Sequence, residues 1–422
     1  MHITLATVGS RGDVHPYVAL GIGLQRAGHH VRVATHPYFE ALVRRRGLDF
    51  APIAGNPRDA VESDLGQAWL ATGSNGLAFV RRMFAIMRPS MATAVRDAEI
   101  ACRDSDVVLF SLLGWLGVHH VLEKHDLMGY PTYLQPATPT RAVPPVVAPA
   151  GCSFGGAHNR LLYAVGEQVF WVLMRRELDT IRRDVLGLPP MTPRAPFAEM
   201  RRRNTPTLYG YSPTLLPEPS DWPTATHVTG YWSLEMDADW EPSTELLAFL
   251  DAGSPPVYVG FGSMHARDVE RQTRLVVEAL ARAGQRGIVL TGWGALSAAD
   301  LPRHVFAVDA IPHDWLFPRT SAVVHHCGAG TTGAGLRAGV PTVPIPFFAD
   351  QPFWGRCLHG LGVASKPIPF RRLSVERLTG AIRHAVANPA VRDRAAEVGE
   401  RVRSENGVAR AVELVERYAK SR

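Results

Sequence analysis

The stretch Val324–Gln351, VHHCGAGTTGAGLRAGVPTVPIPFFADQ, limits the fold more than any other part of this chain. The apolar run Ala322–His326 predicts a strand. It enters a glycine-rich turn that opens a helix, Thr331–Ala338, stopped by Gly339. A second apolar strand, Pro341–Pro346, leads to the pair Asp350–Gln351. Glycine lets backbone N–H groups approach phosphate oxygens without a Cβ in the way. The helix start adds unpaired N–H groups and the positive end of its dipole. His326 stands beside the turn and can donate a hydrogen bond in either charge state. The window therefore predicts a diphosphate cradle, with Asp350–Gln351 placed to hold what hangs from it. Side chains alternate along a strand, so His325 is expected on the opposite face from His326.

The same alternation runs through the rest of the chain. Ile3–Val8 reads as a strand and Gly9–Asp13 as a loop. Val14–Ala27 reads as a helix, with Tyr17, Leu20, Gly21 and Leu24 at helical spacing, Pro16 in its first turn and Gly28 after it. Strands follow at Val31–Thr35, Asp49–Ile53, Val107–Phe110 and Thr132–Gln135. The proline-rich segment Pro136–Gly151 predicts an exposed loop, and Leu161–Leu186 a long helix. Alternation restarts at Val257–Phe261 and continues through a helix, Val269–Ala283, and strands at Gly287–Leu290 and Val305–Val308. Helices at Val375–Ala387 and around Arg392–Ala419 close the chain. The expected class is α/β: two Rossmann-like domains with parallel sheets facing across a cleft. The expected boundaries are 1–215, a Pro- and Trp-rich linker at 216–242, a second domain at 243–395, and a C-terminal helix at 396–422 packing back on the first domain.

Charge and cysteine usage exclude some classes. The net charge is +6, and lysine occurs only at Lys124, Lys366 and Lys420. Arginine is dispersed apart from Arg44–Arg46 and Arg201–Arg203, unlike the clustered charge of a nucleic-acid binder. A basic surface suits an anionic substrate or peripheral contact with a membrane face. Cys102, Cys152, Cys327 and Cys357 form no C-x-x-C pair, and MHITLATVG runs directly into a strand, so a cytoplasmic protein is expected. The D-x-D triplets Asp104–Asp106 and Asp237–Asp239 read as solvated loops. The pairs His29–His30 and His119–His120 lack metal-ligand spacing. No metal and no cofactor are expected.

The window resembles the donor-binding signature of the family 1 glycosyltransferases, whose two-Rossmann fold is called GT-B. The resemblance covers nearly the whole chain: TVGSRGDVHPYVALG, ATHPYFEALV, GFGSM at 260–264, TGWG at 291–294, PHDWLFP at 312–318 and PFFADQPFWG at 346–355. The sterol and lipid glucosyltransferases are the most similar, followed by glycosyltransferases of glycopeptide and macrolide antibiotics. The resemblance implies an acceptor-binding first domain and a second domain that binds a nucleotide sugar.

At matched positions it implies that His326 contacts the diphosphate, with Gly328, Gly330 and Thr331 beside it. Ser263 would approach the same phosphates, Asp350 and Gln351 would bond sugar hydroxyls, and Trp293 and Ile311 would hold the base. Ser10 and Arg11 would reach the diphosphate from the first domain. Many members carry a ribose-binding Glu where this chain has Ala334, which leaves both UDP and dTDP donors open. Inverting transfer needs a base for the acceptor hydroxyl. The resemblance makes Asp13 the first choice and His15 the second; Asp13 would also suit the N-cap of a helix starting at Val14. The proline-rich loop, the helix at 161–186 and the region Trp69–Met91 would wall an apolar acceptor, the last equally suited to face the core.

The implied activity is an inverting, metal-independent glycosyltransferase. It would move a hexose or deoxyhexose from a UDP- or dTDP-sugar to a hydroxyl of an apolar natural-product aglycone. The alternatives are a sterol or lipid 3β-glucosyltransferase using UDP-glucose, a sugar-nucleotide epimerase, and a non-catalytic sugar-nucleotide-binding helper.

Overall fold

The computed structural model describes residues 1–63, 66, 76–149, 153–236, 239–262, 268–292 and 296–420. It divides the chain into two compact units. The first comprises Met1–Pro213, Pro217–Leu234 and Asn406–Arg422; the second comprises Thr214–Leu216 and Glu235–Glu405.

The first unit is built on seven parallel strands: β1 (His2–Ala6), β2 (His30–Thr35), β3 (Asp49–Pro52), β4 (Val107–Phe110), β5 (Met128–Tyr133), β6 (Thr207–Tyr209) and β7 (Thr226–Val228). Their order is β3-β2-β1-β4-β5-β6-β7. The second unit has β8 (Val257–Gly260), β9 (Gly287–Leu290), β10 (Val305–Val308), β11 (Ala322–His325) and β12 (Thr342–Pro344), in the order β10-β9-β8-β11-β12. Every residue of β4, β8 and β11 is buried. That explains why these strands read as continuous apolar runs: a parallel sheet is covered on both faces.

In each sheet the chain builds outward in one direction and then returns to build the other side. The reversal falls between β1 and β4 in the first sheet and between β8 and β11 in the second. At such a point the loops leaving the two strands diverge and open a crevice at the carboxyl edge, where ligands bind in α/β sheets.

Three boundaries differ from expectation. Residues 216–242 are not a linker throughout, because Thr226–Val228 adds the seventh strand beside β6. The first helix runs from Arg11 to Arg26, three residues earlier than Val14. Pro16 therefore sits in its second turn and brings no N–H to the Gly12 carbonyl. The C-terminal region is two helices, Pro389–Ser404 in the second unit and Gly407–Ala419 in the first. The return to the first unit thus falls at Asn406, not 396. The final helix rests on the first, where His29 Nε2 lies 3.0 Å from Glu416 Oε1. A Cβ at Gly23 would stand 2.3 Å from Val408, so glycine permits that close approach.

Candidate active site

In the first unit the site begins where β1 ends. Ser10, with extended backbone, is the N-cap of the helix, and Asp13 is its third residue. Asp13 Oδ2 accepts hydrogen bonds from Ser10 N at 2.8 Å and Ser10 Oγ at 3.1 Å. Asp13 is therefore not the N-cap; its carboxylate reaches back to the cap, one half of a capping box. The Ser10 hydroxyl, expected at the diphosphate, donates to Asp13. Asp13 keeps part of its surface exposed, yet the atoms packed around its carboxyl raise its pKa. Burial is the larger cause and outweighs the two Ser10 hydrogen bonds, which lower it.

His15 is half-buried and Arg11 exposed. Residues two apart on a helix do not share a face. Asp13 lies on the side of Tyr17, the buried tyrosine whose hydroxyl donates to the Thr132 carbonyl, while His15 lies on the side of Arg11. One of the two, not both, can face a given acceptor hydroxyl.

Gly9 fixes this arrangement. Its φ of +135° is one that side-chain-bearing residues rarely adopt, and a Cβ there would stand 2.4 Å from Asp13 Oδ2. Gly9→Ala is expected to destabilise the protein by roughly 1–3 kcal/mol through backbone strain and the displaced carboxylate. A lower urea midpoint at unchanged m-value checks this.

In the second unit β11 ends at His325, so His326 lies in the turn, not in the strand. The His325 ring turns inward, is fully buried, and its Nδ1 accepts from Cys327 N at 3.2 Å. Burial lowers its pKa to about 3. The His326 ring is wedged between two glycine backbones. A Cβ on Gly262, at the end of β8, would lie 2.7 Å from its Cε1, and one on Gly328 would lie 2.4 Å from its Nε2. Burial lowers its pKa to about 4, so the imidazole is neutral near pH 7. Its Nδ1 is buried, with no hydrogen-bond partner among the described residues. Cys327, between the two histidines and the helix, holds a left-handed backbone at φ +66°. Such strain in a non-glycine residue concentrates where function fixes the chain.

The helix starts at Ala329 with Gly328 as N-cap and runs to Ala338, where Gly339 stops it as expected. Its N-cap glycine offers no side chain to cap the first turn. The N–H groups of Ala329, Gly330 and Thr331 precede the first intrahelical bond, from Thr332 N to Gly328 O at 2.9 Å. Among the described residues nothing lies within 4 Å of a Cβ built on Gly330.

Asp350 precedes the helix Gln351–Gly360, and its Oδ2 accepts from Trp354 Nε1 at 2.9 Å. Gln351 is buried, and its Oε1 accepts from Phe347 N at 2.9 Å. Both expected sugar contacts thus also order their own loop, whose Ala349 is left-handed at φ +56°. Ile311 is half-buried against the core that contains Leu316 and Phe317, and Ala334 packs against the same cluster. Ser263 and Trp293 lie outside the described residues, as do Trp69 and the Phe79 side chain. Of the Trp69–Met91 region, Phe84 and Met91 are buried in the first unit's core, with Met83 and Met87 packed against it.

Sequence reading set aside the pair His119–His120, which the structure joins to Glu123. His119, His120 and Glu123 bring ligand-type atoms within 4.8 Å of one another. Arg182 already occupies it: its guanidinium donates to both Glu123 oxygens, at 2.7 and 2.8 Å, and lies 3.1 Å from His120 Nδ1. A cation in place suits an arginine-held core better than a metal centre. The spacing of Glu123 one turn after His119 was the available signal; Arg182, 59 residues beyond Glu123, was not visible. Asp104 pairs with Arg32, and Asp106 accepts from His2 N, so the first D-x-D is structural.

Comparison with known proteins agrees with this fold. Residues 3–144 match the glycosyltransferase family 28 N-terminal domain. Residues 276–416 match the erythromycin biosynthesis protein CIII-like C-terminal domain. Among solved structures, the glycosyltransferase of kitacinnamycin superposes with a TM-score of 0.71 at 22% identity, covering 99% of this chain and 98% of that one. CalG4, the calicheamicin glycosyltransferase, superposes at 0.68 and 20% identity, covering 100% and 98%. The chain shares the GT-B fold of these glycosyltransferases. In sequence it is similar to curated sterol 3-beta-glucosyltransferases. That of Cryptococcus neoformans var. neoformans is 38% identical over 448 residues, and that of Aspergillus terreus 36% over 436. All of this chain aligns, but it spans only 27% and 30% of those longer proteins.

Proposed function

We propose that the chain transfers glucose from UDP-glucose to the hydroxyl of a sterol-like apolar alcohol, with inversion at the anomeric carbon. One observation carries the reading: in each unit the candidate groups stand at the strand-order reversal of their own sheet, Asp13 after β1 and His326 after β11. In the first unit, Asp13 takes the proton from the acceptor hydroxyl as its oxygen attacks C1. In the second, the N–H groups at Ala329–Thr331 and the neutral His326 imidazole receive the charge that develops on the departing diphosphate. Fixed donors of this kind stabilise the leaving group without a metal. Asp350 and Gln351 hold the glucosyl hydroxyls.

The acceptor class rests on the sterol glucosyltransferases, at 36–38% identity. The natural-product aglycone expected from the sequence has weaker support, because the antibiotic enzymes share the fold at 22% identity or less. Mass spectrometry of UDP-glucose with a 3β-hydroxysterol is expected to show the acceptor gaining one hexosyl unit, with dTDP-glucose less effective. A sterol left unmodified while a macrolide aglycone is glycosylated would overturn the acceptor assignment. Conversion of UDP-glucose to another sugar nucleotide without any acceptor would identify an epimerase.

A further inference from the structure

The helix Gly156–Ile181 is apolar on both sides. Its inner face buries Tyr163, Trp171, Met174 and Leu178. Directly opposite stand Leu161, Val165, Val169 and Val172, exposed by 59, 51, 41 and 65%. At 100° per residue these positions fall within one narrow stripe, about 16 Å long. Phe154, just before the helix, is 79% exposed. An isolated exposed valine needs no explanation, but a continuous apolar ridge on a surface helix does.

The charges around the ridge select what covers it. Between Leu161 and Val172 no acidic side chain stands in the stripe. The helix's acidic residues are each held by an arginine: Glu167 by Arg201, Glu177 by Arg88 and Asp179 by Arg175. Arg176 is exposed at the C-terminal end of the ridge, in a chain of net charge +6. A convex ridge offers no groove for a protein partner's side chains, whereas a fluid surface adapts to it. Among the described residues no helix is long and apolar enough to cross a membrane, so contact here is peripheral.

We propose that the outward face of Gly156–Ile181, led by Phe154, seats on a membrane surface carrying anionic headgroups. The ridge enters the boundary between headgroups and acyl chains, and Arg176 meets the phosphates and carboxylates beside it. The inference does not depend on the identity of the sugar or the acceptor.

Co-sedimentation of the full chain with phosphatidylcholine vesicles, with and without phosphatidylserine, tests it. The wild type is expected to pellet with the phosphatidylserine vesicles and to be released by salt. The double variant Val165→Glu/Val172→Glu is expected to bind about tenfold or more weakly. Arg176→Glu is expected to lose the preference for phosphatidylserine while keeping the residual binding to phosphatidylcholine. All substituted positions are exposed, so wild-type melting temperatures are expected and separate lost binding from lost folding. The proposal is overturned if the wild type stays in the supernatant with both vesicles, or if the double variant pellets like the wild type. It is also overturned if light scattering shows a wild-type dimer that the double variant dissolves without any vesicle binding, which would assign the ridge to a second copy of the chain.

Discussion

Asp13→Asn is expected to lower kcat by about 10²–10⁴-fold, the range that general-base groups contribute. Asparagine keeps an oxygen for Ser10 N, so the link between cap and third residue survives. KM for the nucleotide sugar is expected to change little, because the loss falls on the transition state. The pH dependence follows from the raised pKa of Asp13. Only the carboxylate can accept the proton, so kcat is expected to fall as pH drops through a value above the ordinary aspartate range. The variant is expected to lose that limb. Stability moves the other way. A carboxyl whose folded pKa is raised favours the folded state while protonated, below its unfolded pKa, and loses that contribution as pH rises through the folded value. The neutral asparagine is therefore expected to be at least as stable as the wild type at pH 7. A parallel loss of activity and stability would point to a structural Asp13 and leave His15 as the base to test.

His326→Ala is expected to lower kcat/KM by about 10²–10³-fold, the cost of removing one fixed donor from a developing anion. The ring fills the space between Gly262 and Gly328, so stability is also expected to fall. His326→Gln separates the two effects, because an amide restores a neutral donor and part of the volume. With the pKa of His326 near 4, the reading predicts no activity limb between pH 5 and 8 from this residue, about where an unperturbed histidine would titrate. Such a limb, abolished by His326→Gln, would show that the imidazole acts as a cation.

The parts of the fold governed by local rules were legible in the sequence. The helices Val269–Ala283 and Val375–Ala387 have the expected limits, because Asp268 and Ser374 cap their first turns through Arg271 N and Arg377 N. The chain's +6 charge and dispersed arginines gave no hint of the apolar ridge, since a helix that is apolar on two sides yields a weak periodic signal. The first helix was placed three residues late, with Gly9–Asp13 read as a loop and Pro16 in the first turn. The pattern Ser10-x-x-Asp13 was the overlooked signal, an acidic variant of the capping box. β7 was hidden by its length of three residues in a segment rich in proline and tryptophan. At the site, strand alternation set His326 apart from His325, and the structure distinguishes the two rings by what holds them. His325 is committed to Cys327 N, while His326 is held by glycines from two separate strand ends, an arrangement only tertiary structure reveals.

The central claim, inverting transfer by base and leaving-group donors, is tested most directly by the anomeric configuration of the product. UDP-glucose carries its sugar in the α configuration. Proton NMR of the glucoside isolated after reaction with a 3β-hydroxysterol is predicted to show a large, diaxial anomeric coupling, the mark of a β-linked product. A small coupling from an α-linked glucoside would contradict single displacement with Asp13 as base, as would consumption of UDP-glucose with no glucoside formed.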